Sequence, residues 1–224
     1  MTRLLFINPN TTQSMTDKVL LAAREAAVPG IIVDAATSQK GPASIQGVED
    51  GDAAVPGLLE ALQKGIDEGY DGFAIACFDD TGLAECRELT DKPVLGIGQC
   101  AFHASMMLSE NFSVVTTLAV SIPVIEANLV RYGISTRCIR VRASDVPVLA
   151  LEEPGSVAEQ QISDETGRAI IEDECCSIVL GCAGMAPLAA RLAATHGVPV
   201  IDGVVAATGM LTTLHAIRRS MMSA

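Results

Sequence analysis

Gly72-Phe73-Ala74-Ile75-Ala76-Cys77-Phe78-Asp79-Asp80-Thr81-Gly82 and Ser177-Ile178-Val179-Leu180-Gly181-Cys182-Ala183-Gly184-Met185-Ala186 are two versions of one segment. Each is an apolar run of strand length that closes on a cysteine and opens into a helix-like stretch. Each is followed by a second strand-like run behind a proline, Lys92-Pro93-Val94-Leu95-Gly96 in one and Val198-Pro199-Val200-Ile201-Asp202-Gly203 in the other. Two thiols at equivalent strand ends of two half-molecules can face one another across a cleft. Moving a proton from one face of a carbon to the other requires such a pair of acid/base groups.

Outward from these segments, strand and helix signals alternate throughout. Apolar runs of strand length fall near residues 3–7, 31–36, 72–77 and 94–97, then near 112–117, 138–142, 177–181 and 199–201. Ser14 begins a capping-box pattern with Asp17, the expected start of a helix running to about Ala27. Leu58, Leu59, Leu62 and Ile66 share one helical face, as do Ile122, Ile125, Leu129 and Tyr132, with Pro123 in the first turn and Gly133 as a stop. Such alternation argues for parallel sheets covered by helices. The expected fold is α/β: two pseudo-symmetric lobes, each a four-stranded, mainly parallel sheet flanked by helices, with the active site in the cleft between them. Residues 1–98 with 204–224 form the first lobe in this reading, and residues 99–203 the second. The last helix, from about Val204 to Met222, then crosses back to the first lobe. The first strand of each half ends in amide or hydroxyl residues: Asn8, Asn10, Thr11 and Thr12 in one, Thr116 and Thr117 in the other. Ligand groups are expected there, at the C-terminal ends of the strands.

Composition narrows the function. The chain has 224 residues, 49% of them apolar and 19% charged, an ordinary globular balance. A net charge of −12, with no basic cluster beyond Arg218-Arg219, makes nucleic acid and anionic membrane surfaces poor partners. Every apolar run is shorter than the roughly 20 residues of a membrane span. The N-terminal run lacks the longer apolar core and cleavage site of a signal peptide. Seven cysteines, an odd count, suit reduced thiols in a cytoplasmic protein.

Only as thiolate is a cysteine a useful base, and its pKa falls from ~8.5 at a helix N-terminus, the position Cys77 and Cys182 occupy by pattern. The same helix ends offer the backbone N–H groups of Phe78, Asp79, Ala183 and Gly184, donors suited to the charge that develops on a carbonyl oxygen when its α-proton leaves. The remaining cysteines, Cys86, Cys100, Cys138, Cys175 and Cys176, read as packing residues, and no spacing suits a structural zinc. Gly96-Ile97-Gly98-Gln99-Cys100-Ala101 matches a dinucleotide-binding pattern, but no acid follows the next strand, so a turn crossing between lobes explains the glycines better. His103 could approach the cleft, His196 lies near a helix end, and His215 lies on the last helix. Asp79-Asp80 could bind a metal, although two carboxylates at a helix start are more often capping charges.

Taken together, several segments resemble the hydantoin racemase branch of the aspartate/glutamate racemase superfamily, over nearly the whole chain. They are Ile7-Asn8-Pro9-Asn10-Thr11-Thr12, Gly41-Pro42-Ala43-Ser44-Ile45-Gln46, Ala76 to Asp80, Val114 to Thr117 with Pro123, Leu180 to Ala186, and Gly197 to Gly203. The resemblance implies a cofactor-independent, metal-free racemase that interconverts the enantiomers of 5-monosubstituted hydantoins, with allantoin a close variant. It implies Cys77 and Cys182 as the acid/base pair. Asn8, Ile45 and Thr116 or Thr117 then line the ligand, and Phe78, Asp79, Ala183 and Gly184 supply donors. Relatives that bind free amino acids follow their cysteines with Asn-Thr or Thr; Phe78 and Ala183-Gly184 favour an uncharged cyclic imide. Thr81 and Gln46 depart from the family pattern and bear on the C5 substituent. The partner is thus a small cyclic ureide, and homo-oligomers are common among relatives. Alternatives are an aspartate or glutamate racemase, a maleate isomerase-type enzyme of the same superfamily, or a non-catalytic two-lobed small-molecule binding protein.

Overall fold

The computed structural model describes residues 1–152 and 157–222. The first sheet contains β1 (Thr2–Asn8), β2 (Ile31–Thr37), β3 (Gly72–Ile75) and β4 (Val94–Gly96) in the spatial order β2-β1-β3-β4. The second repeats this plan: β5 (Phe112–Thr116), β6 (Cys138–Ala143), β7 (Ile178–Gly181) and β8 (Val200–Ile201) lie in the order β6-β5-β7-β8. All pairings are parallel. Within each lobe the two central strands are β1 and β3, or β5 and β7. Of these, β3, β5 and β7 are buried along their whole length, because a strand with helices on both faces is shielded on both.

Helices cover each sheet on both sides. On one face of the first sheet, α1 (Gln13–Ala26) and α8 (Gly203–Met222) pack Val19, Ala23, Val204 and Leu211 onto Leu4 and Phe6. On the other, α2 (Val48–Asp67) and α3 (Leu83–Glu88) bring Leu58, Leu62 and Leu83 onto Leu5, Ile7, Phe73 and Ile75. In the second lobe, α6 (Val157–Asp173) and α7 (Ala189–His196) cover one face. There α4 (Ile97–Leu108) and α5 (Ile122–Arg131) cover the other. Helix α4 serves both lobes, since Ile97 and Cys100 enter the first core while Ala101 and Phe102 enter the second. Helix α8 lies against α1, α4 and β3.

Three local expectations need correction. Helix α1 begins at Gln13 with Thr12 as its cap residue, so Ser14 lies inside it and makes no capping box. The Thr12 hydroxyl donates instead to the Ala43 carbonyl at 2.7 Å, tying the helix start to the next loop. The chain after Cys77 is a turn, with α3 starting at Leu83, and Cys182 opens a short 3-10 segment, Ala183–Leu188, which contains Pro187. Neither thiol therefore heads an α-helix directly. Of the five cysteines read as packing residues, Cys86, Cys100 and Cys175 are buried, but Cys138 is half-buried and Cys176 exposed.

Candidate active site

The strand order explains why the cysteines meet. In each lobe the chain leaves the first strand toward one edge and returns to form the third strand on its other side. A crevice opens at the C-terminal ends of that adjacent pair. Register then aligns the residues: Ile7 lies opposite Ile75, and Thr116 opposite Gly181. Just past the paired residues, Asn8 and Cys77 emerge from the first lobe, and Thr117 and Cys182 from the second.

Cys77 and Cys182 line the same cavity, about 480 Å³ including its open mouth. Asn8, Ile45, Phe78, Asp79, Thr117, Ala183 and Gly184, all named from sequence as ligand contacts, line it as well. Thr116 does not: its hydroxyl donates to the Gly181 carbonyl at 2.9 Å, which locks the end of β5 to the end of β7. Phe78 contributes to the lining, but its ring packs edge-on against Phe102 in the core at 5.3 Å. Asn8 shapes the wall. Its Nδ2 lies 2.9 Å from Asn10 Oδ1, 3.1 Å from the Thr12 carbonyl and 3.0 Å from Thr16 Oγ1, while its Oδ1 accepts from the Asn10 N–H at 3.2 Å.

Asn10, placed by the sequence among the polar residues ending the first strand, faces the cavity too; Met15, Val19, Ala76, Ser121, Val148 and Gly181 also face it, and the sequence reading does not single them out. Ala76 and Gly181 were findable as the residues before each thiol. Val148 comes from the 3-10 segment Val148–Glu152, for which no sequence signal exists. None of these lining residues is Lys, Arg or His. His103 points away: its Nδ1 lies 2.7 Å from the Gln99 carbonyl, and it lines a separate groove between α4 and α8.

The electrostatics reverse the sequence expectation for Cys77. Burial, then the charge of Asp79, push its thiol well above the ordinary range, and charge on Cys182 adds to this. The Thr81 hydroxyl, 3.6 Å from Sγ, and the Asp79 backbone N–H oppose them without prevailing. Desolvation is the largest of these effects. Asp79 is itself pushed up to about 7 by burial and by the neighbouring Asp80. Its carboxyl has no hydrogen-bond donor among the described residues, and it lines the cavity.

Asp80 behaves differently from a local cap. It sits in the left-handed region (φ 51°) and reaches across to the start of α4. There Oδ1 accepts from the Gly98 N–H at 2.9 Å and Oδ2 from the Gln99 N–H at 2.7 Å, with the Tyr132 hydroxyl donating to Oδ2 at 2.7 Å. The Gly96-Ile97-Gly98 glycines make room for it. A Cβ on Gly96 would lie 1.9 Å from Asp80 Oδ1, and one on Gly98 would lie 2.2 Å from the Phe78 carbonyl oxygen.

Residues 4–211 match the Asp/Glu/Hydantoin racemase family. The chain belongs to that family. A hydantoin racemase from Rhizobium meliloti is 46% identical over 208 residues, 93% of this chain and 86% of its own length. The allantoin racemase from Klebsiella pneumoniae superposes with a TM-score of 0.95 at 41% identity, covering 97% of this chain and 89% of its own. The allantoin racemase from Pseudomonas fluorescens gives a TM-score of 0.93 at 35% identity, covering 96% and 92%. Membership in the racemase family spans both lobes and both cysteine segments.

Proposed function

We propose that this chain is a racemase of the hydantoin and allantoin type, working through Cys77 and Cys182 without a cofactor. The observation that carries the reading is that thiols from two pseudo-equivalent strand ends line one small cavity. The relatives named hydantoin racemase and allantoin racemase support the reaction class. The substrate is a cyclic ureide carrying one hydrogen at C5. A wall without cationic side chains, with the Asp79 carboxyl in it, repels dicarboxylates and accepts a neutral ring whose N–H groups can donate.

Its raised thiol suits Cys77 to the acid role. In that direction Cys182 is the base: the C5–H bond breaks as an S–H bond forms on Cys182. Charge passes to the ring carbonyl oxygen, stabilised by backbone N–H groups of the cysteine segments. The Cys77 S–H then gives its proton to the opposite face of C5, and the negative charge ends on Cys77. The opposite enantiomer runs the sequence in reverse. Two one-proton acid/base partners are needed, so loss of either stops racemisation.

Cys77→Ser and Cys182→Ser are each expected to lower racemisation of a 5-substituted hydantoin by ~10²–10⁴-fold. Loss of optical rotation in deuterated buffer, read beside C5 deuterium uptake, checks this. Each variant keeps exchange with one enantiomer only. Full racemisation in either variant sinks the two-thiol assignment. A panel of 5-substituted hydantoins, allantoin and aspartate then sets the substrate. A cytoplasmic setting belongs to the same proposal. So does a homo-oligomer, supported by the apolar groove between α4 and α8 beside the exposed Met107 and Val205.

A further inference from the structure

Each lobe sends its first helix against the other lobe's cysteine segment. Helix α1 of the first lobe packs on the segment after Cys182, where Ala183 joins the apolar cluster that includes Val19 and Ala23. Helix α5 of the second lobe grips the segment after Cys77 through polar bonds. Asn128, buried, donates from Nδ2 to the Asp79 carbonyl at 2.8 Å, and one turn on, Tyr132 donates to Asp80 Oδ2 at 2.7 Å. Asp80 is at the same time bound to two N–H groups at the start of α4. Neither Asn128 nor Tyr132 lines the cysteine cavity.

The geometry points to Asn128 and Tyr132 as positioning residues for Cys77, an interlobe clamp that sets where this thiol stands relative to Cys182. Hydrogen bonds are directional and short-ranged, so they fix the Cys77 turn to α5 within a narrow range. Cys77 is thus tied to the opposite lobe through its turn. The clamp matters because proton transfer at a stereocentre requires both sulfurs within reach of one carbon. A displacement on the order of 1 Å can cost about 10²-fold in rate.

This inference rests on the two-thiol reading for its kinetic consequence, but its structural readout does not need catalysis. The test compares the wild-type chain with Asn128→Ala, Tyr132→Phe and the double variant, and uses Ile125→Val as a control that loosens the same helix while leaving both hydrogen bonds to the Cys77 turn in place. Competitive alkylation by iodoacetamide, with mass spectrometry of the Cys77 and Cys182 peptides, gives the ratio of their labelling rates. The clamp variants are expected to change that ratio at least ~3-fold and to lower kcat by roughly 10–100-fold, with KM within about 3-fold. Ile125→Val keeps the wild-type ratio. A double variant that melts cooperatively and keeps the wild-type ratio and kcat overturns the clamp, as does an equal change of ratio in Ile125→Val. Tyr132→Phe removes a single hydroxyl, so it remains a folded test if Asn128→Ala does not. Racemisation by Cys77→Ser with an altered ratio in Tyr132→Phe would sink the thiol assignment while leaving the clamp standing.

Discussion

Gly96 and Gly98 show what a single missing side chain decides. Their spacing fits a nucleotide-binding turn as well as a bend between lobes, and the sequence favours the bend only because no acid comes after the next strand. In the structure the glycines admit Asp80 and the Phe78 carbonyl, contacts made by residues distant in the chain and so invisible locally. Gly96→Ala is expected to cost about 3 kcal/mol, since the added methyl meets a buried, hydrogen-bonded carboxylate. Gly209→Ala on α8, where the added methyl meets no other part of the fold within 4 Å beyond the helix's own backbone, is expected to gain about 0.5–1 kcal/mol from helix propensity. Urea unfolding of both variants checks the contrast. Asp79 makes a second prediction at this scale. Burial, then Asp80, hold its carboxyl at about 7 in the folded chain against 3.8 ordinarily, so the folded state binds the proton more tightly. The stability it supports is complete below about pH 4 and is lost as pH rises through about 7. Asp79→Asn therefore stabilises the protein at pH 8, on the order of 2–4 kcal/mol, with the gain shrinking toward zero as pH falls to 4. A gain independent of pH between 4 and 8 would contradict the raised carboxyl.

The eight strands and helices α1, α2, α5 and α8 were legible because each depends on short-range pattern: apolar runs for strands buried on both faces, a repeating stripe for helices. The segments directly after the two cysteines were not. Local residues permit a helix after Cys77, but Asp80 is drawn to α4 and Tyr132, which holds the segment as a turn until Leu83. The same dependence on distant partners governs β6 and α6. Arg142 of β6 is buried and binds Asp173 through Nε at 2.7 Å and Nη2 at 2.5 Å, with Glu165 at 3.2 Å from Nη1. Charge and multiple hydrogen bonds here offset desolvation, and removing the cation leaves the buried carboxylates to the exposed Arg140 and Arg168. Arg142→Met is expected to lose about 3–5 kcal/mol of stability at pH 7. The loss is smaller near pH 4, where the stranded carboxylates can take up protons. Thermal melts at the two pH values test this. Activity per folded molecule in the cold should stay normal, because neither Arg142 nor Asp173 lines the cavity.

At the level of the whole molecule, the groove between α4 and α8 is an apolar surface that the two-lobed plan leaves uncovered. Met107 is 80% exposed and Val205 48%. If a second copy covers it, as proposed, Met107→Lys lowers the mass measured by sedimentation without altering the far-ultraviolet spectrum; an unchanged mass removes this face from the assembly. The two-lobed α/β plan and the pairing of Cys77 with Cys182 came from sequence, because an internal repeat copies local pattern and places equivalent residues at equivalent strand ends. Sequence also marked more than half of the cavity's lining, since most of those residues lie beside the thiols or at the ends of β1 and β5. Tertiary structure alone decided that Thr116 turns inward to Gly181, that Cys77 is held as thiol, and that Asn128 and Tyr132 reach its turn from the other lobe. Each of those depends on which groups end up adjacent after folding: hydrogen bonding, burial and charge act through space, and neighbours in space need not be neighbours along the chain.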